Sequence, residues 1–154
     1  MKTTRQMLSL ITGITLLVAG AAIAEHKHDH AAEKAPHNGR LMETEKVGSM
    51  HVEFLVETDK SVSVYLYDGK LKAIAPSDQA LTLIVQGKDD AKTTVELAKK
   101  EDRFVSAAAV SIPDGAKAIL TIKTGGKTEN LRFPLDMSSC GGCKKPEYAC
   151  SCDH

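Results

Sequence analysis

Tryptophan is absent from this 154-residue chain, and only three Phe and three Tyr are present. So sparse an aromatic set offers no stacking platform for nucleobases or sugars, and the core must rest on Val, Ile, Leu and Ala. Charge of one sign is missing too: 20 Lys and Arg balance 20 Asp and Glu. Nothing in that balance draws the chain to nucleic acid or to an anionic membrane surface. No H-E-x-x-H, phosphate loop or serine nucleophile elbow occurs, so the chain reads as non-enzymatic. Cysteine is absent until Cys140, after which all four appear within the last 15 residues.

Long apolar runs are also lacking. The nearest approach lies at the N-terminus, where Lys2 and Arg5 precede an apolar stretch from Met7 or Leu8 through Ile14, Leu16, Leu17 and Val18. Thr12, Gly13 and Thr15 interrupt it, whereas a spanning helix needs about 20 mostly apolar residues. With the small-x-small pattern Ala22-Ile23-Ala24, residues 1–24 are predicted to be a signal peptide cut before Glu25. No cysteine follows the cut, so no lipid anchor is expected. The predicted product is exported, periplasmic or otherwise extracytoplasmic, with no membrane insertion after cleavage. It has 130 residues, enough for one domain, and carries 18 basic against 20 acidic groups, a net charge of −2.

Residues 25–36 are polar and rich in His and Ala, and they read as a flexible arm. Over residues 37–136 the pattern becomes short and alternating. Val52, Phe54 and Val56 alternate with polar partners, and so do Val62, Val64 and Leu66 after a turn at Thr58-Asp59-Lys60. Further strands are expected over Leu71–Ile74, Leu81–Val85, Thr93–Leu97, Phe104–Val110, Ala118–Ile122 and Glu129–Phe133. Lys88-Asp89-Asp90, Ile112-Pro113-Asp114-Gly115 and Gly125-Gly126 supply turns, the last between two alternating runs. Seven to nine short strands predict an all-β fold, a single antiparallel β-sandwich of immunoglobulin-like type. A helix over Val95–Phe104 is the competing reading, but it offers too few apolar positions for a buried stripe. Residues 137–154 form a Cys-rich tail.

That tail reads Cys140-Gly-Gly-Cys143, then six residues, then Cys150-Ser-Cys152-Asp-His154. Four thiolates complete a tetrahedral zinc shell, and soft sulfur also suits Cu(I). The glycines let the chain turn tightly enough for both flanking sulfurs to face one ion, and His154 could replace one sulfur. Two other readings stand beside this one. In an oxidising compartment four cysteines can form two disulfides, with three possible connectivities. Cys140-Gly-Gly-Cys143 could also act as a redox pair, although no thioredoxin-like pattern accompanies it.

His26, His28 and His30 alternate at the start of the arm and could converge on one ion, with imidazole suiting Zn, Cu or Ni alike. His37 and His51 flank the first expected strand, and Met42 and Met50 lie nearby. Thioether and imidazole together form a reasonable Cu(I) set, while methionines also serve as core fillers.

Pro36-His37-Asn38-Gly39-Arg40-Leu41, the strand His51-Val-Glu53-Phe54, Val64-Tyr65-Leu66-Tyr67-Asp68 and Ala75-Pro76 together carry a resemblance. Over residues 36–134 the chain resembles the small β-sandwich domain found in some periplasmic adaptor subunits of heavy-metal efflux pumps. That domain also occurs as stand-alone exported proteins. The family's opening motif usually reads Pro-His-Gly-Gly; here Asn38 takes the place of the first glycine. The resemblance implies metal resistance or trafficking, with roles for His37 and, more loosely, His51 and Glu53. It also implies an efflux-system component as partner, although the helical hairpin and barrel of a full adaptor are absent from these residues. The expected function is therefore an exported protein that sequesters or transfers a soft or borderline ion such as copper or zinc. The alternative is an interaction module whose tail is stapled by disulfides.

Overall fold

The computed structural model describes residues 34–152. The expected signal peptide over residues 1–24, the arm histidines His26, His28 and His30, and His154 lie outside them. The described chain is all-β, as expected: nine strands, every pairing antiparallel, in one nearly closed sheet. They are β1 (Arg40–Glu43), β2 (His51–Val56), β3 (Val62–Tyr67), β4 (Ala73–Ile74), β5 (Ala80–Gln86), β6 (Lys92–Lys99), β7 (Phe104–Ser106), β8 (Lys117–Thr124) and β9 (Lys127–Pro134). Their order across the sheet is β1-β2-β3-β7-β6-β5-β8-β9, with β4 paired to β3. Among the described residues no helix is long and apolar enough to cross a membrane.

Strand β6 makes the fold. Its first part pairs with β5, from Lys92↔Gln86 to Glu96↔Thr82, and its last three residues pair with β7. The segment therefore forms strand and not helix. Thr93, Thr94 and Val95 are β-branched and favour extended backbone, and each part of the strand has one partner, β5 along its first five residues and β7 along its last three. One strand thus belongs to both halves of the sheet, and the inner faces of those halves share one core.

That core follows the alternation. Val52 and Phe54 of β2, Val62, Val64 and Leu66 of β3, Leu81, Leu83 and Val85 of β5, and Ala118, Leu120 and Ile122 of β8 are all buried. Each large apolar side chain removed from water contributes about 1.5–3 kcal/mol. Gly125 and Gly126, at φ 54° and 75°, make the two-residue turn between β8 and β9, a conformation that glycine adopts without a Cβ penalty.

Two expected strands are shorter than their sequence pattern. Leu71 sits at φ 57° in a turn whose amides at Lys70 and Lys72 donate to Asp68 Oδ1, so only Ala73–Ile74 remains extended. Beyond β7 the ladder stops because the Ser106 hydroxyl accepts from Val62 N (2.9 Å) and donates to Ala108 O (2.7 Å). A side chain has replaced the next main-chain rung. Strand β1 has no counterpart among the expected strands.

The core extends past β9. Leu135, Tyr148 and Ala149 are buried in it, the last two on a 3-10 turn, Glu147–Ala149. Tyr148 is 2% exposed, and its ring meets Phe54 edge-on at 5.9 Å. Its phenol oxygen accepts from Val56 N (2.9 Å), and its carbonyl accepts from Arg40 Nη1 (3.1 Å). Tyr148→Phe keeps the ring but strips the Val56 amide of its acceptor, for a loss of about 1 kcal/mol. Tyr148→Ala also leaves a cavity and should lose about 3–5 kcal/mol. Urea unfolding of the two variants measures both, and the gap between them isolates the packing contribution.

Candidate metal centre

Anchoring of Tyr148 fixes the loop that carries the cysteines. Main-chain bonds from Tyr148 N to Asp136 O (2.9 Å) and from Glu147 N to Ser138 O (2.8 Å) hold one arm of the tail against the other. Ser139 and Pro146 form an isolated antiparallel bridge, and within it Cys140 N donates to Lys145 O (2.8 Å) while Lys144 N donates to Cys140 O (3.1 Å). Lys144 stands at φ 63°, the left-handed conformation that turns the chain back after Cys143. The 3-10 turn then returns it, with Cys150 N donating to Glu147 O (3.1 Å). Both cysteine pairs are thereby brought to one point.

The four Sγ atoms lie within 4.8 Å of one another. Cys140 and Cys150 are 3.2 Å apart, Cys143 and Cys150 3.7 Å, and Cys140 and Cys152 4.0 Å. An ion bound to four sulfurs at about 2.3 Å sets tetrahedral S···S edges of about 3.8 Å. The observed separations bracket that value, and no disulfide joins the four. Cys140 is fully buried, Cys150 and Cys152 are half-buried, and Cys143 is exposed. Among the described residues these four are the group whose ligand atoms are close enough to hold one ion.

Backbone amides prepare the Cys140 sulfur for negative charge. The Cys140 thiol is lowered from the ordinary 9.0 to about 6, first by the Cys143 amide, then by the Cys150 thiol and the Gly142 amide. At Cys150 the Cys152 amide (N to Sγ 3.3 Å) acts downward, but Cys140, burial and the other two thiols outweigh it and push the group up to about 12. Cys152 is drawn down by Cys150 and raised, on balance, by Cys143, burial and Cys140. Charge is therefore localised on the innermost sulfur, where two amides point at it. A cation inside the cluster reverses the mutual repulsion and favours the thiolate at every ligand.

His37 and His51 lie elsewhere. Glu53 is fully buried on β2, and its Oε1 accepts from the amides of His37 and Gly39 (both 2.8 Å). Its Oε2 accepts from Tyr67 Oη (2.7 Å) and lies 3.0 Å from His37 Nδ1. Burial and then the Glu53 bond push the Tyr67 phenol far above its ordinary value, so it stays a donor. The His37 ring stacks on Tyr65 with centroids 3.9 Å apart. His51 has Nδ1 3.1 Å from Asp68 O and Nε2 3.4 Å from Glu43 Oε1. Pro36-His37-Asn38-Gly39 is thus a clasp closed around a buried carboxylate. Asn38, at φ 63°, occupies a conformation that glycine or asparagine tolerates. At Gly39 a Cβ would overlap the Phe54 carbonyl oxygen. Met42 and Met50 pack against the core.

Glu53 and Tyr148 are the residues whose importance the spacing of the chain does not announce. Glu53 falls on the outward phase of β2, where a carboxylate reads as solvent-facing. Tyr148-Ala149 did leave a signal: it is an apolar pair inside an otherwise polar tail. No family model, curated protein or solved structure matches the chain.

Two outcomes follow from this geometry. In the reduced, metal-free protein the Cys140 thiolate forms as pH rises through about 6, with Cys150 following only near 12. Thiolate ultraviolet absorbance should show the low step and lose it in Cys140→Ser. As pH falls through that step a proton occupies the buried sulfur, so metal affinity must weaken in the same range. Separately, Glu53→Ala leaves the His37 and Gly39 amides and the Tyr67 hydroxyl without their acceptor, at about 1–3 kcal/mol for each buried donor. The melting temperature should drop, whereas Asn38→Gly should stay within about 0.5 kcal/mol of the parent.

Proposed function

We propose that this is an exported protein that binds one soft or borderline metal ion, copper or zinc, on the thiolates of Cys140, Cys143, Cys150 and Cys152. The observation that carries the reading is the convergence of four sulfurs to within 4.8 Å of one another. Among the described residues that group is all sulfur, the donor set that suits Zn(II) and Cu(I). Export rests on the sequence of residues 1–24. A role in heavy-metal handling, with an efflux component as partner, rests on the resemblance over residues 36–134. His26, His28 and His30 serve in this reading as a second, weaker set of ligands on the arm.

The proximity that suits an ion also suits oxidation, and an exported chain meets an oxidising compartment. Two disulfides would convert the centre into a stapled tail of an interaction module, and mass separates the two readings. Native mass spectrometry of reduced protein supplied with Zn(II) or Cu(I) should show one retained ion and the mass of four thiolates, and any single Cys→Ser change should weaken retention. A chain isolated about 4 Da lighter than the tetrathiol form, inert to mild reductant and unable to take up metal, contradicts the metal-binding reading.

A further inference from the structure

The four sulfurs are unequally sheltered, and the inequality has a direction. Cys140 is sealed in the fold and Cys143 is exposed, with Cys150 and Cys152 between them. The residues around Cys143 are open as well: Gly141, Gly142 and Lys144 are all exposed, and a Cβ at Gly141 would meet nothing within 4 Å. Lys144 Nζ lies 3.0 Å from Gly141 O, which places a positive charge on the same edge. Four sulfurs fill a tetrahedral shell, so a bound ion can leave only by displacement of one of them. An ion meant to leave needs one ligand that an incoming group can reach.

Resting on the four-thiolate reading above, we propose that the ion is cargo, passed through the Cys143 edge to an acceptor that presents thiolates. The acceptor is a protein or peptide carrying a free cysteine or a cysteine pair. In the first step the acceptor sulfur forms a bond to the ion as the Cys143–metal bond breaks. The ion keeps its oxidation state and four sulfur ligands, and the proton that the acceptor thiol gives up to solvent on becoming a thiolate is balanced by one that the released Cys143 sulfur takes up. Cys152 and Cys150 follow, and the buried Cys140 releases last. The lysine at the edge favours approach of an anionic thiolate over a neutral ligand.

The test uses the full Zn(II)-loaded chain with dithiothreitol as the acceptor probe. Transfer should accelerate in proportion to dithiothreitol concentration. Limited alkylation of the loaded protein with iodoacetamide, read by peptide mapping, should mark Cys143 before Cys140. Gly141→Leu keeps all four sulfurs and fills the open ground beside Cys143. It should retain one ion per chain yet slow transfer about tenfold, ~1.4 kcal/mol on the barrier. Release at a rate independent of dithiothreitol overturns the proposal, as does equal alkylation of all four cysteines. A chain that never retains zinc overturns the four-thiolate reading itself, and that failure is seen before any acceptor is added.

Discussion

Burial of the Tyr148 side chain is the contact on which the geometry of the cysteine cluster depends. The ring enters the core beside Phe54, and the phenol oxygen and the backbone carbonyl each take a hydrogen bond from a β-strand. Those contacts convert the residues after β9 from a tail into part of the fold. Because the chain between Cys143 and Cys150 passes through this anchor, both cysteine pairs start from fixed positions. Ordering a residue from the free chain costs about 1–2 kcal/mol in backbone entropy alone. Here the packing of Tyr148 and the short hairpin around Cys140 meet that cost during folding, so an ion finds its ligands already gathered. Preorganisation of this kind raises affinity without adding any new contact.

A second buried polar device works on the other face of β2. Glu53 closes the His37–Gly39 clasp, just as Glu129 closes a neighbouring loop by accepting from the amides of Glu45, Lys46 and Val47. In both places a carboxylate of the sheet ties down an irregular segment near β1, whose outer edge has no strand partner among the described residues. Covering and stapling such a segment limits strand addition at that edge. His37, although exposed in part, is held by this clasp, so its residue type is explained by stacking on Tyr65 and bonding to Glu53 without any metal.

The sequence was legible where its signals were local. Period-two alternation located the strands from β2 to β9, and turn chemistry placed the Gly125-Gly126 hairpin, because a half-buried sheet writes its pattern directly into neighbouring residues. Two strand ends were misjudged where a side chain substituted for main chain: Asp68 at the start of β4, and Ser106 at the end of β7. The residue pattern was insufficient there because both devices act across space. The convergence of the four cysteines was suggested by spacing, but the reason for it, Tyr148 and the left-handed Lys144, depends on tertiary packing. Glu53 was pointed to by the resemblance but not by the alternation, since its outward phase on β2 reads as solvent-facing while residues 37–39 and Tyr67 enclose its carboxylate.

An all-sulfur shell is the central claim, and X-ray absorption at the zinc edge of the loaded protein addresses it most directly. Four sulfur neighbours at about 2.3 Å, with no lighter atom in the shell, is the predicted result. A nitrogen or oxygen neighbour in place of one sulfur, or fewer than four sulfurs, would show that these thiols do not close around the ion and would contradict the account.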